Sequence, residues 1–109
     1  MVVTIEDVEA KYAEVLSAKS NRLTQSDLFR QSFNSAAKAK ALYDLGVTTI
    51  DEYNAVKTPF DLIVSDLDGT ETIFSTKITE YNALVTEYNL GQDPADQLEV
   101  LAYNKWDYI

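Results

Sequence analysis

The stretch FDLIVSDLDGTETIF, residues 60–74, decides how the chain folds. An apolar run from Phe60 to Val64 leads into Asp66-Leu67-Asp68-Gly69-Thr70, and a second run reaches Phe74. An Asp-Gly pair between two such runs is a strong short-range signal for a β-hairpin. A two-residue Asp68-Gly69 turn sets Asp66 opposite Glu71, and like charges facing each other across a strand pair are unfavourable. One step of register removes the clash. With Leu67-Asp68-Gly69 as a three-residue loop, Asp66 takes the first turn position, Gly69 supplies positive φ, and Ile63 and Leu62 face Ile73 and Phe74. Asp66, Asp68 and Gly69 are thus read as structural turn residues.

The same letters, Asp66-Leu67-Asp68-Gly69-Thr70 after an apolar strand, are similar to the first motif of the haloacid dehalogenase-like phosphotransferases. That resemblance implies Asp66 as nucleophile, Asp68 as general acid and base, a Mg²⁺ ion held by both, and Thr70 steadying the loop. The family's companion motifs are missing, because the 39 residues after Thr70 read as one strand and two helices. Phosphoryl transfer also needs cations against the transferring oxygens, and Lys77 is the only basic residue between Lys57 and Lys105. A calcium loop centred on Gly69 fails as well. It puts Val64 first and Ser75 last, where a ligating Asp and a bidentate Glu belong. No catalytic residue, metal or cofactor is expected, and the chain is read as a non-enzyme.

Composition points the same way. The 109 residues include no Cys and no His, which removes thiolate chemistry and the usual general base. The N-terminal MVVTIEDVEAKYAEV has no basic segment followed by an apolar run, and no stretch approaches a membrane span, so a cytoplasmic or particle-enclosed protein, not a secreted one, is expected. The net charge of −9 argues against direct nucleic-acid or membrane binding. It is unevenly spread: residues 1–19 carry four acids and two bases, residues 20–45 two and four, residues 46–109 twelve and three.

Along the chain, Thr4 is placed to cap a helix over 4–19, with Val3 and Val8 as a hydrophobic staple. Ser20-Asn21 reads as a break, and Thr24 to Leu45 as a second helix ended by Gly46. Thr49 and Glu52 have capping-box spacing for a short third helix that Thr58-Pro59 stops. After the hairpin, Thr76 caps a fourth helix ended by Gly91, and Asp93-Pro94 opens a fifth carrying Leu98 and Leu101. TIDEYNAVKT and KITEYNALVT share six residues in register 28 positions apart, read as reuse of helical surface residues rather than duplication. The expected fold is a single α+β domain over 1–109, mainly helical: helical 4–58, hairpin 60–75, helical 76–105, in the order ααα-ββ-αα.

The function expected from this reading is a protein-binding module, of inhibitor or adaptor type, acting through its acidic, Tyr-rich C-terminal half. A two-stranded ribbon is marginal alone, so its edge suits a protein partner or self-association. The candidate interface is Leu62, Val64, Tyr81, Tyr88, Tyr103, Trp106, Tyr108 and Ile109. A structural or assembly subunit of a larger particle, such as a virion accessory protein, and an acidic mimic of nucleic acid are the alternatives.

Overall fold

Thr4 and Thr49 each start a 40-residue helix, and those two helices are the fold. In both places the threonine hydroxyl accepts the amide of the third helical residue while that residue's carboxylate, Asp7 or Glu52, accepts the threonine amide. The computed structural model describes residues 2–103. Helix α1 spans Ile5–Asp44 and α2 spans Ile50–Asn89. Gly46, at φ +76°, makes the reversal between them in a conformation that favours glycine. The two helices lie antiparallel in a rod of 68 × 21 × 14 Å. No described helix is long and apolar enough to cross a membrane.

A seven-residue period holds the pair together. On α1 the residues turned toward α2 are Val8, Val15, Arg22, Phe29, Ala36 and Tyr43, with Lys11, Ala18, Gln25, Ser32 and Ala39 between them. On α2 they are Tyr53, Phe60, Leu67, Phe74, Tyr81 and Tyr88, interleaved with Val64, Glu71, Ile78 and Val85. All are buried or half-buried, and the alternation of steps of three and four is that of a coiled-coil seam. The dense core is at the open end, where Val8, Val15 and Ala18 meet Phe74, Ile78, Tyr81 and Val85. Toward the loop, aromatic pairs take over: Phe29 against Phe60 at 5.6 Å, and Tyr43 stacked on Tyr53 at 5.0 Å.

The expected α+β architecture is overturned: the described residues contain no strand, and residues 60–75 lie in the middle of α2. The same letters carry a helical pattern. Phe60, Ile63, Val64, Leu67, Glu71 and Phe74 follow i, i+3, i+4, i+7 and face α1, whereas Asp66, Asp68 and Gly69 point outward. Thr72 donates its hydroxyl to the Asp68 carbonyl at 3.1 Å, the bond of a mid-helix threonine rather than of a turn. The helix also runs through Pro59, on its exposed side, where the lost amide leaves a carbonyl beside water.

Three further boundaries move for related reasons. Ser20-Asn21 does not break α1, because each costs only a few tenths of a kcal/mol in helix propensity while the seam continues through Ala18 and Arg22. Thr24, read as a helix start, and Thr76, read as a cap, are interior residues, and Thr24 donates back to the Ser20 carbonyl. Pro94–Asp96 is one 3-10 turn and no fifth helix follows; residues 97–103 are not helical.

The helical setting reverses the expected effect of Gly69. A Cβ there meets nothing within 4 Å, and its backbone is not in the positive-φ region. Gly69→Ala is therefore expected to raise the unfolding free energy by about 1 kcal/mol. A lower denaturant midpoint for the variant would restore a turn at Asp68-Gly69.

Candidate functional site

On one side of the seam the helices leave a groove. Its α1 wall carries Tyr12, Leu16, Leu23 and Phe33, which keep 42, 48, 41 and 51% of their surface exposed. Its α2 wall is a column seven residues apart: Asn54, Asp61, Asp68, Ser75, Asn82 and Asn89. Beyond the 3-10 turn the chain doubles back and lies along the lower part of this column.

Two asparagines hold that returning segment. Asn89 donates its amide to the Leu98 carbonyl and accepts the Leu98 amide, both at 2.8 Å. Asn82 does the same with Leu101, at 2.9 and 2.8 Å. A carboxamide presents one donor and one acceptor in a plane, which matches the N–H and C=O of a single peptide residue. Seven helical residues rise about 10.5 Å, and three extended residues cover about 10 Å, so the spacings agree. Leu98 and Leu101 then pack on the core cluster.

The segment ends on a buried ion pair. Arg22 and Glu71 meet in one layer of the seam at 3.4 Å, with side chains only 3 and 8% exposed. The Arg22 guanidinium lies 4.2 Å from the centre of the Phe74 ring, and the Tyr103 hydroxyl donates to the other Glu71 oxygen. Such a pair contributes little net stability against an apolar substitute but penalises any register that separates its members. Next to it a cavity of about 260 Å³ opens among Tyr12, Leu16, Lys19, Leu23, Phe74 and Leu101. Farther along the same side, a second of about 230 Å³ is bounded by Phe33, Ala37, Lys40, Tyr53 and Phe60.

The opposite side carries a cluster of surface charge beside a cavity of about 330 Å³ among Val3, Lys11, Glu14, Leu84 and Glu87. Lys77 reaches Glu14 at 2.8 Å and Glu80 at 3.6 Å, and Lys11 reaches Glu14 at 3.2 Å. The hydrogen bond from Lys77, followed by that from Lys11, holds the Glu14 carboxyl below its ordinary range, and the same bond to Glu14 raises Lys77.

The residues singled out in the sequence do not converge. Tyr81 is core, its ring 5.6 Å from that of Tyr12, and Tyr88 packs on the core edge. Val64 is in the seam, and Leu62 is on the outer face, 63% exposed. Tyr103 belongs to the clamped segment, while Trp106, Tyr108 and Ile109 lie outside the described residues. Asp66 and Asp68, two apart on a helix, point about 160° away from each other, so the paired-carboxylate geometry of the phosphotransferase motif does not form. No group of three or more acidic residues is placed to hold a metal among the described residues.

Sequence reasoning passed over Asn82, Asn89, Arg22 and Glu71. One signal was available. TEYNALVTEYN, residues 79–89, repeats Thr-Glu-Tyr-Asn at a spacing of seven. The 28-residue likeness around Asn54 and Asn82 is four such steps, which places both asparagines in the same column. Searches against protein-family models, curated proteins and solved structures find no match to this chain.

Replacing both asparagines by alanine is expected to leave the helical signal intact and to free the segment. Amide protection at Leu98 and Leu101 should fall by about tenfold or more, since each loses a hydrogen bond of roughly 1 kcal/mol and its packing. Unchanged exchange would mean that apolar contact alone holds it. For the ion pair, Arg22→Met or Glu71→Leu alone should cost about 3–5 kcal/mol, and the double variant much less than their sum. Additive losses on urea unfolding would show that the two groups act independently.

Proposed function

We propose that this chain is a non-enzymatic protein-binding module, a helical hairpin that receives an amphipathic helix of a partner in its groove near Phe33, Ala37 and Phe60. The observation that carries this reading is the exposed apolar wall of α1. A rod one helix layer thick has one seam to bury, and Leu16, Leu23 and Phe33 stand outside it. A row of exposed apolar side chains along one helix face marks an interaction face, and a helix laid in the groove would complete a second layer. The partner surface thus draws on α1 as much as on the acidic C-terminal half. Use as an assembly subunit is the second reading, supported by the 68 Å length of the rod, which lets one chain span between neighbours.

Light scattering across a concentration series tests the proposal together with the variant Phe33→Glu/Ala37→Glu, whose sites lie away from the clamped segment. The wild type is expected to gain mass with concentration or to form a complex of fixed stoichiometry with a helical partner. The variant should lose the association made through that part of the groove while keeping the same helicity. A wild type that remains monomeric and unpartnered, or a variant that associates equally well, overturns it.

A further inference from the structure

The Asn82–Asn89 pair reads backbone, and backbone is the same in every copy of the chain. We propose that the clamp is a binding site for an extended peptide segment and that its second occupant is the C-terminal segment of another copy, exchanged reciprocally to form a dimer. This rests on the reading of the chain as a protein-binding module and specifies one partner for one part of its groove.

Three observations carry it. All four clamp bonds run between asparagine side chains and the peptide groups of Leu98 and Leu101, so nothing in them distinguishes the chain's own segment from its neighbour's. The segment brings the apolar spacing the groove accepts: Leu98 and Leu101 on the core cluster, then Tyr103 on Phe74 and Glu71. A second copy presents that spacing without any new sequence. The connection from Leu90 to Gln97 is largely exposed, and its only regular structure is the 3-10 turn at Pro94–Asp96. Those eight residues reach at most about 28 Å when extended, enough to cross to a neighbouring rod 21 Å wide. Exchange of an identical element is a low-cost route to a two-fold dimer, because every bond lost in one copy is regained in the other.

Complementation of two full-length variants tests this. Leu98→Asp/Leu101→Asp keeps the clamp and loses a segment that docks. Asn82→Ala/Asn89→Ala keeps the segment and loses the clamp. Neither can exchange with itself. An equimolar mixture is expected to form a one-to-one complex at least about tenfold tighter than the self-association of either variant, a loss of one good contact set being worth about that factor. A mixture of two helical variants that associates no better than its components overturns the proposal. If either variant loses its helical signal, the decision passes to the wild type with an excess of the synthetic peptide Gln97–Tyr103. Saturable shifts of the chain's own Leu98 and Leu101 amide resonances, as the peptide displaces them from the clamp, support the site, and their absence rejects it. Adding Phe33→Glu/Ala37→Glu to both variants separates the two ideas. Complementation should survive those changes, whereas helix capture near Phe33 should not.

Discussion

A single seam carries the whole molecule. Two helices in contact can bury one stripe each, and both stripes here keep a period of seven over 40 residues. That sustained register lets α2 run through Pro59 and Gly69, which in an isolated helix would cost about 3 and 1 kcal/mol. The tolerance is positional, since both residues sit on the side away from α1. The same constraint explains what the rod leaves uncovered. Apolar residues that fall beside the seam, such as Leu16 and Phe33, have no further layer to enter.

Where the sequence was legible, the cause was local chemistry. The cap at Thr4, the capping box at Thr49 and the reversal at Gly46 depend on residues within four positions, and all three form as their letters suggest. Residues 60–74 misled because their alternatives are both local. Asp-Gly between apolar runs fits a turn, and Phe60, Val64, Leu67 and Phe74 fit a helix; only the partner helix decides between them. Helix α1 was obscured differently. Its seam includes Lys11, Arg22, Gln25 and Ser32, so hydropathy shows a weak stripe and Ser20-Asn21 looks like an end. The recurrence at 28 residues belongs to the same seam, since the coiled-coil period divides it evenly.

The site was less legible than the fold for a related reason. Asparagine in a helix has poor propensity and no apolar signature, and its value here appears only when an extended chain lies beside it. Leu98 and Leu101, spaced three apart after Asp93-Pro94, fit a helix start equally well. Here they are held by the column at Asn82 and Asn89 instead. Arg22 and Glu71 are 49 positions apart, and nothing in either neighbourhood announces the other.

The placement of the core at the open end of the hairpin has a consequence for biosynthesis. Tyr43 and Tyr53, ten residues apart, meet across the loop as soon as both exist, but Val8 and Val85 share a cluster from 77 residues apart. The strongest packing therefore joins the first half of α1 to the second half of α2, the pair of segments farthest apart along the hairpin. Until Phe74 to Val85 are available, α1 exposes both its seam and its outer apolar wall, and closure must proceed from the weaker aromatic end toward the denser one. While α2 is being made, a nascent chain of this design holds α1 as an uncovered amphipathic helix, the state in which a chaperone or a neighbouring nascent copy has greatest access to it.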